Sequence, residues 1–163
     1  MHDETPLTRA YRDAMARFAG HVQVVTTAHD GALRGVTATA CCSVSDAPPT
    51  VLACVNRLNA KNMVFLESGN FAVNTLGARH KPLADAFSGL GGLSPEERFA
   101  KGDWDMGGSG APVLKDALAS FDCRLIEAKE MSTHWILIGE VVRTDCGTDD
   151  EALMYYRRAY RTL

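Results

Sequence analysis

The segment Val22-Gln23-Val24-Val25-Thr26-Thr27-Ala28-His29-Asp30-Gly31-Ala32-Leu33-Arg34-Gly35-Val36-Thr37-Ala38-Thr39-Ala40-Cys41-Cys42-Ser43-Val44-Ser45 decides the fold class. It opens on residues rich in β-branched side chains, which suit a pleated, half-buried surface. Asp30-Gly31 is a pair that tolerates positive φ, the signature of a tight hairpin. The chain then runs back as extended arms from Leu33 to Thr39 and from Cys41 to Ser45. Pro48-Pro49 interrupts the pattern, and Thr50-Val51-Leu52-Ala53-Cys54-Val55 reads as a fully buried strand.

Upstream, Leu7, Tyr11, Ala14 and Phe18, with Met15 beside them, fall on one helical stripe, which predicts an amphipathic helix with a single buried face. Thr5-Pro6 is its expected cap and first turn, and Gly20 its stop. Downstream, helices are expected over Ala60–Glu67, with Asn59 as N-cap, and over His80–Phe87. The capping box Ser94-Pro95-Glu96-Glu97 opens a third, brief helix through Phe99. Phe71–Leu76, Ala119–Ala128 and His134–Thr144 read as strands, the last two alternating poorly, as central strands of a barrel do. Lys101–Pro112 reads as a glycine-rich surface loop, and Glu151–Leu163 is open between helix and strand. Strands that do not alternate regularly with helices predict a mainly β fold, a β-barrel with helical decorations, in a single domain over residues 1–163.

The 163 residues are 46% hydrophobic and 23% charged, with a net charge of −3, which suits a soluble globular domain with its own core. A mildly acidic chain has no general attraction for phosphate backbones, so no nucleic-acid partner is expected. No apolar run approaches the ~20 residues of a membrane helix, so no membrane association is expected. The start carries acids where a secretory leader has an apolar stretch, and a cytoplasmic location is expected. Five cysteines form no Cys-x-x-Cys, and the histidines form no His-Glu-x-x-His, so reduced, mostly buried thiols and no metal are expected. On a strand, Cys41 and Cys42 face opposite sides.

Gly89-Leu90-Gly91-Gly92 and Gly107-Gly108-Ser109-Gly110 lack the spacing and context of nucleotide-binding loops and read as ordinary loops. No Gly-x-Ser-x-Gly elbow is present. Two features remain. Alternation places Thr37, Thr39, Cys41 and Ser43 on one face of an extended segment, a small-residue surface suited to a phosphate or a flat polar ligand. Asn56-Arg57-Leu58-Asn59-Ala60-Lys61-Asn62 joins a buried strand to a helix start, where free N–H groups and the lysine favour an anion. An anion site and a hydroxyl-rich edge strand beside a capped helix both fit these residues.

The chain resembles the flavin reductase-like family of FMN-binding split barrels. The resemblance rests on Met15–Val22 with Val24–Thr27, on Gly35–Ser45, and on Pro48-Pro49 with Val51–Asn56. It continues through Phe71–Asn74, and through His134 with Ile138–Val141, Tyr155-Tyr156-Arg157 and Tyr160-Arg161. It implies a homodimeric split barrel that binds FMN or FAD near the subunit interface, and NADH or NADPH as donor. It also implies that Val36, Thr37, Ala38, Thr39, Cys54, Val55 and Asn56 line the flavin ring, mostly through backbone groups. The phosphate is expected near Ser43, Asn59, Lys61 and Asn62, with His134 near the nicotinamide. Members usually carry Gly-Asp before that histidine, where this chain has Ser132-Thr133, and a bulky aromatic where it has Cys41. The smaller Cys41 predicts extra room beside the flavin.

The implied activity is NAD(P)H:flavin oxidoreduction that supplies a partner flavin-dependent monooxygenase. An FMN-retaining reductase of a larger acceptor such as a corrin, and a flavin- or haem-binding module without turnover, are the alternatives. Arg34, Arg57 and Arg79 are each available in the sequence to meet a 2′-phosphate.

Overall fold

The computed structural model describes residues 4–148 and 150–163, so the reading of residues 1–3 as part of a leaderless start lies outside it. Helix α1 spans Pro6–Met15, capped as expected by Thr5, whose Oγ1 accepts from the Thr8 N–H at 3.1 Å. It ends at Met15, before Gly20. None of its residues is buried: Leu7 is 78% exposed, and Phe18 just beyond it 73%. The expected buried face is therefore open within one chain. Helical periodicity identifies an apolar face but not what covers it.

Strands β1 (Gly20–His21), β2 (Gln23–His29), β3 (Ala32–Ala38), β4 (Cys41–Asp46) and β5 (Pro49–Asn56) follow. The β2–β3 hairpin turns at Asp30 and Gly31, both at positive φ, as their sequence requires. After β5 the expected helix is a 3₁₀ turn, Ala60–Met63, continued by α2 (Val64–Glu67). Then come β6 (Asn70–Thr75), α3 (Lys81–Phe87) and α4 (Pro95–Phe99), the last closed by the reciprocal Ser94–Glu97 capping box.

The expected loop over 101–112 contains β7 (Trp104–Met106), paired with β8 (Pro112–Leu114). Its glycines wrap the buried Asp122 carboxylate, which accepts from the Ser109 N–H at 3.0 Å and from the Ser109 hydroxyl. Long strands β9 (Ala119–Glu130) and β10 (His134–Cys146) pair with register shifts at Ile138/Gly139 and Val141/Arg143, which scramble their alternation. The ambiguous tail is a hairpin, β11 (Leu153–Tyr156) and β12 (Ala159–Thr162), turning at Arg157 and Arg158 with positive φ.

Seven strands form one antiparallel sheet in the order β3-β2-β6-β9-β10-β5-β4. One core lies inside its curve, built on Val25, Val55, Phe65, Phe71, Trp135 and Leu137. A second lies outside, where Val22, Val24 and Leu76 meet Leu83, Phe87, Phe99 and Leu153. β2 is thus buried on both sides, which explains its near-continuous apolar run. Gly139 is where β10 passes Phe71, since a Cβ there would lie 2.5 Å from the ring. All five cysteines are free, but only Cys123 is fully buried; Cys41 and Cys54 are partly covered and Cys42 and Cys146 are exposed. The thiols are therefore less buried than expected, because Cys42 and Cys146 face outward on strands. Among the described residues, no helix is long and apolar enough to cross a membrane.

Candidate functional site

The sheet curls until its ends approach without joining. β3 ends at Ala38, the chain crosses through Thr39 and Ala40, and β4 begins at Cys41 at the far end of the strand order. The Cys54 N–H donates to the Ala40 carbonyl at 2.9 Å, tying the crossing to β5. Beside this split lies a cleft of about 800 Å³, within the range of small-molecule sites.

Val36, Thr37, Ala38 and Thr39 form one wall, and Cys54, Val55 and Asn56 the facing one. Asn59, Lys61 and Asn62 close one end, and His134 at the start of β10 also borders the space. Of the residues expected at the site, only Ser43 lies elsewhere: with Cys41 it lines a second cavity. The expectation of one continuous face over Thr37, Thr39, Cys41 and Ser43 is corrected by the crossing at Thr39-Ala40, which separates two strands at opposite ends of the sheet. The room expected from the small Cys41 falls in that second cavity, not in the cleft.

Several side chains in the cleft are already committed. The Thr37 hydroxyl donates to the Ala84 carbonyl at 2.7 Å, so this residue offers a ligand its backbone. Asn56 Oδ1 accepts from the Leu58 N–H at 2.8 Å and Asn59 Oδ1 from the Lys61 N–H at 3.1 Å, which folds the turn after β5. The buried Asn62 donates to the Asn56 carbonyl at 2.7 Å and accepts from Arg34 Nε at 2.7 Å, fixing that guanidinium at the end of β5.

The cleft carries positive charge on an acidic protein. Arg34, Lys61 and Arg98 line it and no carboxylate does. None of the three has an ion-pair partner among the described residues. Arg98 is aimed by its Nε–H, which donates to the Leu93 carbonyl at 3.0 Å. Burial, and then the charge of Arg98, lower the Arg34 pKa from its ordinary value. Two guanidiniums sharing a partly dry space without an acid are a standing electrostatic cost that an anion removes. Arg57 and Arg79 are not available in this way, since Arg57 pairs with Glu130 at 2.6 Å and Arg79 with Asp116 and Asp150.

Sequence reading missed Arg98 and the wall made by Phe87, Ser88 and Gly89. The Phe87 ring lies against Gly35, where a Cβ would approach to 2.5 Å, and meets Phe99 edge-on at 5.0 Å. Those contacts bring α3 and α4, and with them Arg98, to the edge of β3. Nothing local marked Arg98 or the approach of Phe87 to Gly35. His134 is exposed, and its Nδ1 lies 2.8 Å from the Thr133 hydroxyl, which supplies the neighbour that an acid would otherwise provide.

A split β-barrel with a cleft of small side chains, backbone amides and unneutralised arginines defines a binder of a flat, phosphorylated ligand. A family model described as flavin reductase like domain matches residues 15–163, and the chain belongs to the flavin reductase-like family. It is 50% identical over 154 residues, 94% of this chain and 87% of the relative, to an FMN reductase (NADH) RutF of Agrobacterium fabrum. The solved flavin reductase PheA2 in its native state superposes with a TM-score of 0.84 at 32% identity, covering 100% of this chain and 99% of that one. BorF, the flavin reductase component of a bacterial two-component tryptophan halogenase, superposes with a TM-score of 0.86 at 31% identity, covering 96% and 98%.

Proposed function

We propose that this chain is an NADH:flavin oxidoreductase that reduces FMN and supplies the reduced flavin to a partner monooxygenase. The observation that carries this reading is the pair of unneutralised guanidiniums, Arg34 and Arg98, at the edge of a cleft walled by β3 and β5. Their charge suits a flavin phosphate, and the small-residue walls suit the ring. When bound, the flavin supplies the hydride-accepting ring, so no protein nucleophile is needed.

The work of the protein is to hold two flat groups in contact and keep water from between them. Arg34, Lys61 and Arg98 hold the phosphate, with Asn62 keeping Arg34 in place. The Val36–Thr39 and Cys54–Asn56 backbones flank the ring. His134 stands at the start of β10 with Nδ1 engaged by Thr133, leaving Nε2 free to meet the nicotinamide carboxamide. The names of the relatives, FMN reductase (NADH), support FMN as flavin and NADH as donor. A relative that is the reductase component of a two-component system supports release of reduced flavin to a partner.

A second copy of the chain covers the exposed α1 face. Leu7, Tyr11, Met15 and Phe18 present an apolar stripe of a kind that monomers rarely leave open, and a two-fold dimer is its commonest cover. A soluble, cytoplasmic enzyme agrees with this reading.

The test is steady-state NADH oxidation with FMN as the varied substrate, followed by gel filtration of the protein. NADH consumption that saturates in FMN, with flavin lost on the column, is expected of a shuttling reductase. FMN binding without NADH consumption refutes the activity, and flavin retained through the column refutes shuttling.

A further inference from the structure

We propose that Arg57 is a positioning residue for the nicotinamide side of the reaction, holding Thr133 and, through it, the His134 imidazole beside the flavin cleft. The inference rests on the reductase reading, which assigns Arg57 no work. Arg57 directly follows the ring wall at the end of β5 but is not among the residues that line the cleft.

Three contacts carry it. The Arg57 N–H donates to the Thr133 carbonyl at 3.0 Å, and its Nη1–H donates to the Ser132 carbonyl at 3.0 Å. These carbonyls belong to the peptide planes before and after Thr133, so one residue holds both planes that set the direction of the Thr133 hydroxyl. Nη2 pairs with Glu130, the last residue of β9, at 2.6 Å. The guanidinium therefore spans the hairpin loop with a planar fork, a geometry that an ammonium does not reproduce. Its Nε–H is buried without a partner, a cost that the loop contacts offset.

The loop needs such a hold. Met131, Ser132 and His134 are exposed, and the Met131 N–H closes the hairpin by donating to the His134 carbonyl at 2.8 Å. Asn56 faces His134 across the β5–β10 ladder, which fixes the backbone of His134 and not its ring. The ring is engaged by the Thr133 hydroxyl, 2.8 Å from Nδ1. An exposed imidazole turns about two soft torsions, and a hydroxyl held in place selects one orientation and leaves Nε2 free. The Glu130 carboxylate is exposed, so its pairing contributes little by itself and the two carbonyl contacts do the positioning.

The test uses Arg57→Met, which keeps an apolar stem and the backbone N–H but removes the fork. In the flavin-free protein, amide hydrogen exchange of the peptide spanning residues 131–134 should rise about two- to tenfold, the worth of one net hydrogen bond, with β2 and β6 unchanged. In steady state, kcat/KM for NADH should fall about two- to tenfold with FMN affinity unchanged. The same substitution made in His134→Ala should have no further effect. A merely structural arginine would lower the NADH and FMN parameters together, whatever stands at position 134. Arg57→Lys, which keeps the charge, should stay closer to Arg57→Met than to the wild type. Unchanged exchange, an equal loss in the His134→Ala background, or full recovery with lysine overturns the proposal. If Arg57→Met fails to fold, Thr133→Val, which removes only the hydroxyl, must lower kcat/KM for NADH alone, and wild-type values there overturn it. Each of these outcomes leaves the reductase reading standing, whereas wild-type protein that binds FMN without consuming NADH overturns both.

Discussion

Replacing Arg98 by Gln removes one of the two guanidiniums that share the cleft without an acid. In the flavin-bound protein the loss is a charge-assisted hydrogen bond to phosphate, about 1.5–3 kcal/mol. At about 1.4 kcal/mol per decade, FMN affinity should fall roughly 10- to 150-fold. The flavin-free protein should behave differently. The Nε–H bond to the Leu93 carbonyl is lost, but Arg34 is relieved of a like charge, and the two changes oppose each other. The melting temperature should therefore move by less than about 4 °C, the span of ~1 kcal/mol in a chain of this size. Fluorescence titration with FMN and with riboflavin, at low and high salt, reads the effect. Riboflavin affinity should be unchanged by the substitution, and only FMN binding should weaken with salt. Equal losses for FMN and riboflavin would refute the reasoning, because the arginine would then be shaping the cleft and not meeting a phosphate.

His134→Ala should lower kcat/KM for NADH by about 10- to 100-fold, the loss of one well-placed hydrogen bond at the reacting centre, with FMN affinity nearly unchanged; stopped-flow reduction and flavin titration separate the two. Gly35→Ala drives a Cβ to 2.5 Å from the Phe87 ring and should cost about 1–3 kcal/mol in thermal denaturation while weakening FMN binding through the displaced wall. Burial pushes the Cys41 and Cys123 thiols up to about 12, so iodoacetamide at pH 8 should label Cys42 and Cys146 first, as peptide mass mapping can show. The Cys41 and Cys123 thiols stay protonated in the fold while the unfolded chain ionises them from about 9, so their contribution to stability is complete below that pH and should decline as pH rises towards 12, which denaturant titrations across that range test.

What could be read from sequence was what short-range chemistry determines. The Asp30-Gly31 turn, the Thr5 cap and the Ser94–Glu97 box each act within a few residues, and each is found where expected. The tail was ambiguous because its hairpin turns at Arg157-Arg158, which carry positive φ without the glycine or asparagine that signals it. Alternation of small and hydroxyl residues runs unbroken from Gly35 to Ser45, so nothing in it marked the crossing at Thr39-Ala40 that sends Ser43 and Cys41 away from the cleft. The turn after β5 was legible in Asn56–Asn62 as a strand-to-helix junction that favours an anion, and the resemblance added the β3 and β5 walls and His134. Arg98 was invisible because its place depends on α4 packing through Phe87 and Phe99 against a strand some sixty residues earlier, a contact with no local pattern. The α1 stripe was read correctly as apolar and wrongly as covered, since periodicity gives a face and not its partner.

The central claim is that hydride passes from NADH to flavin held in this cleft. Its most direct test is a single anaerobic turnover with FMN bound and NADH carrying deuterium at the transferred position of C4. The account predicts bleaching of the flavin absorbance in step with NADH loss, a slower rate for the deuterated donor, and a rate that saturates in NADH. FMN that binds the protein and does not bleach, or that bleaches no faster than free FMN, would contradict it.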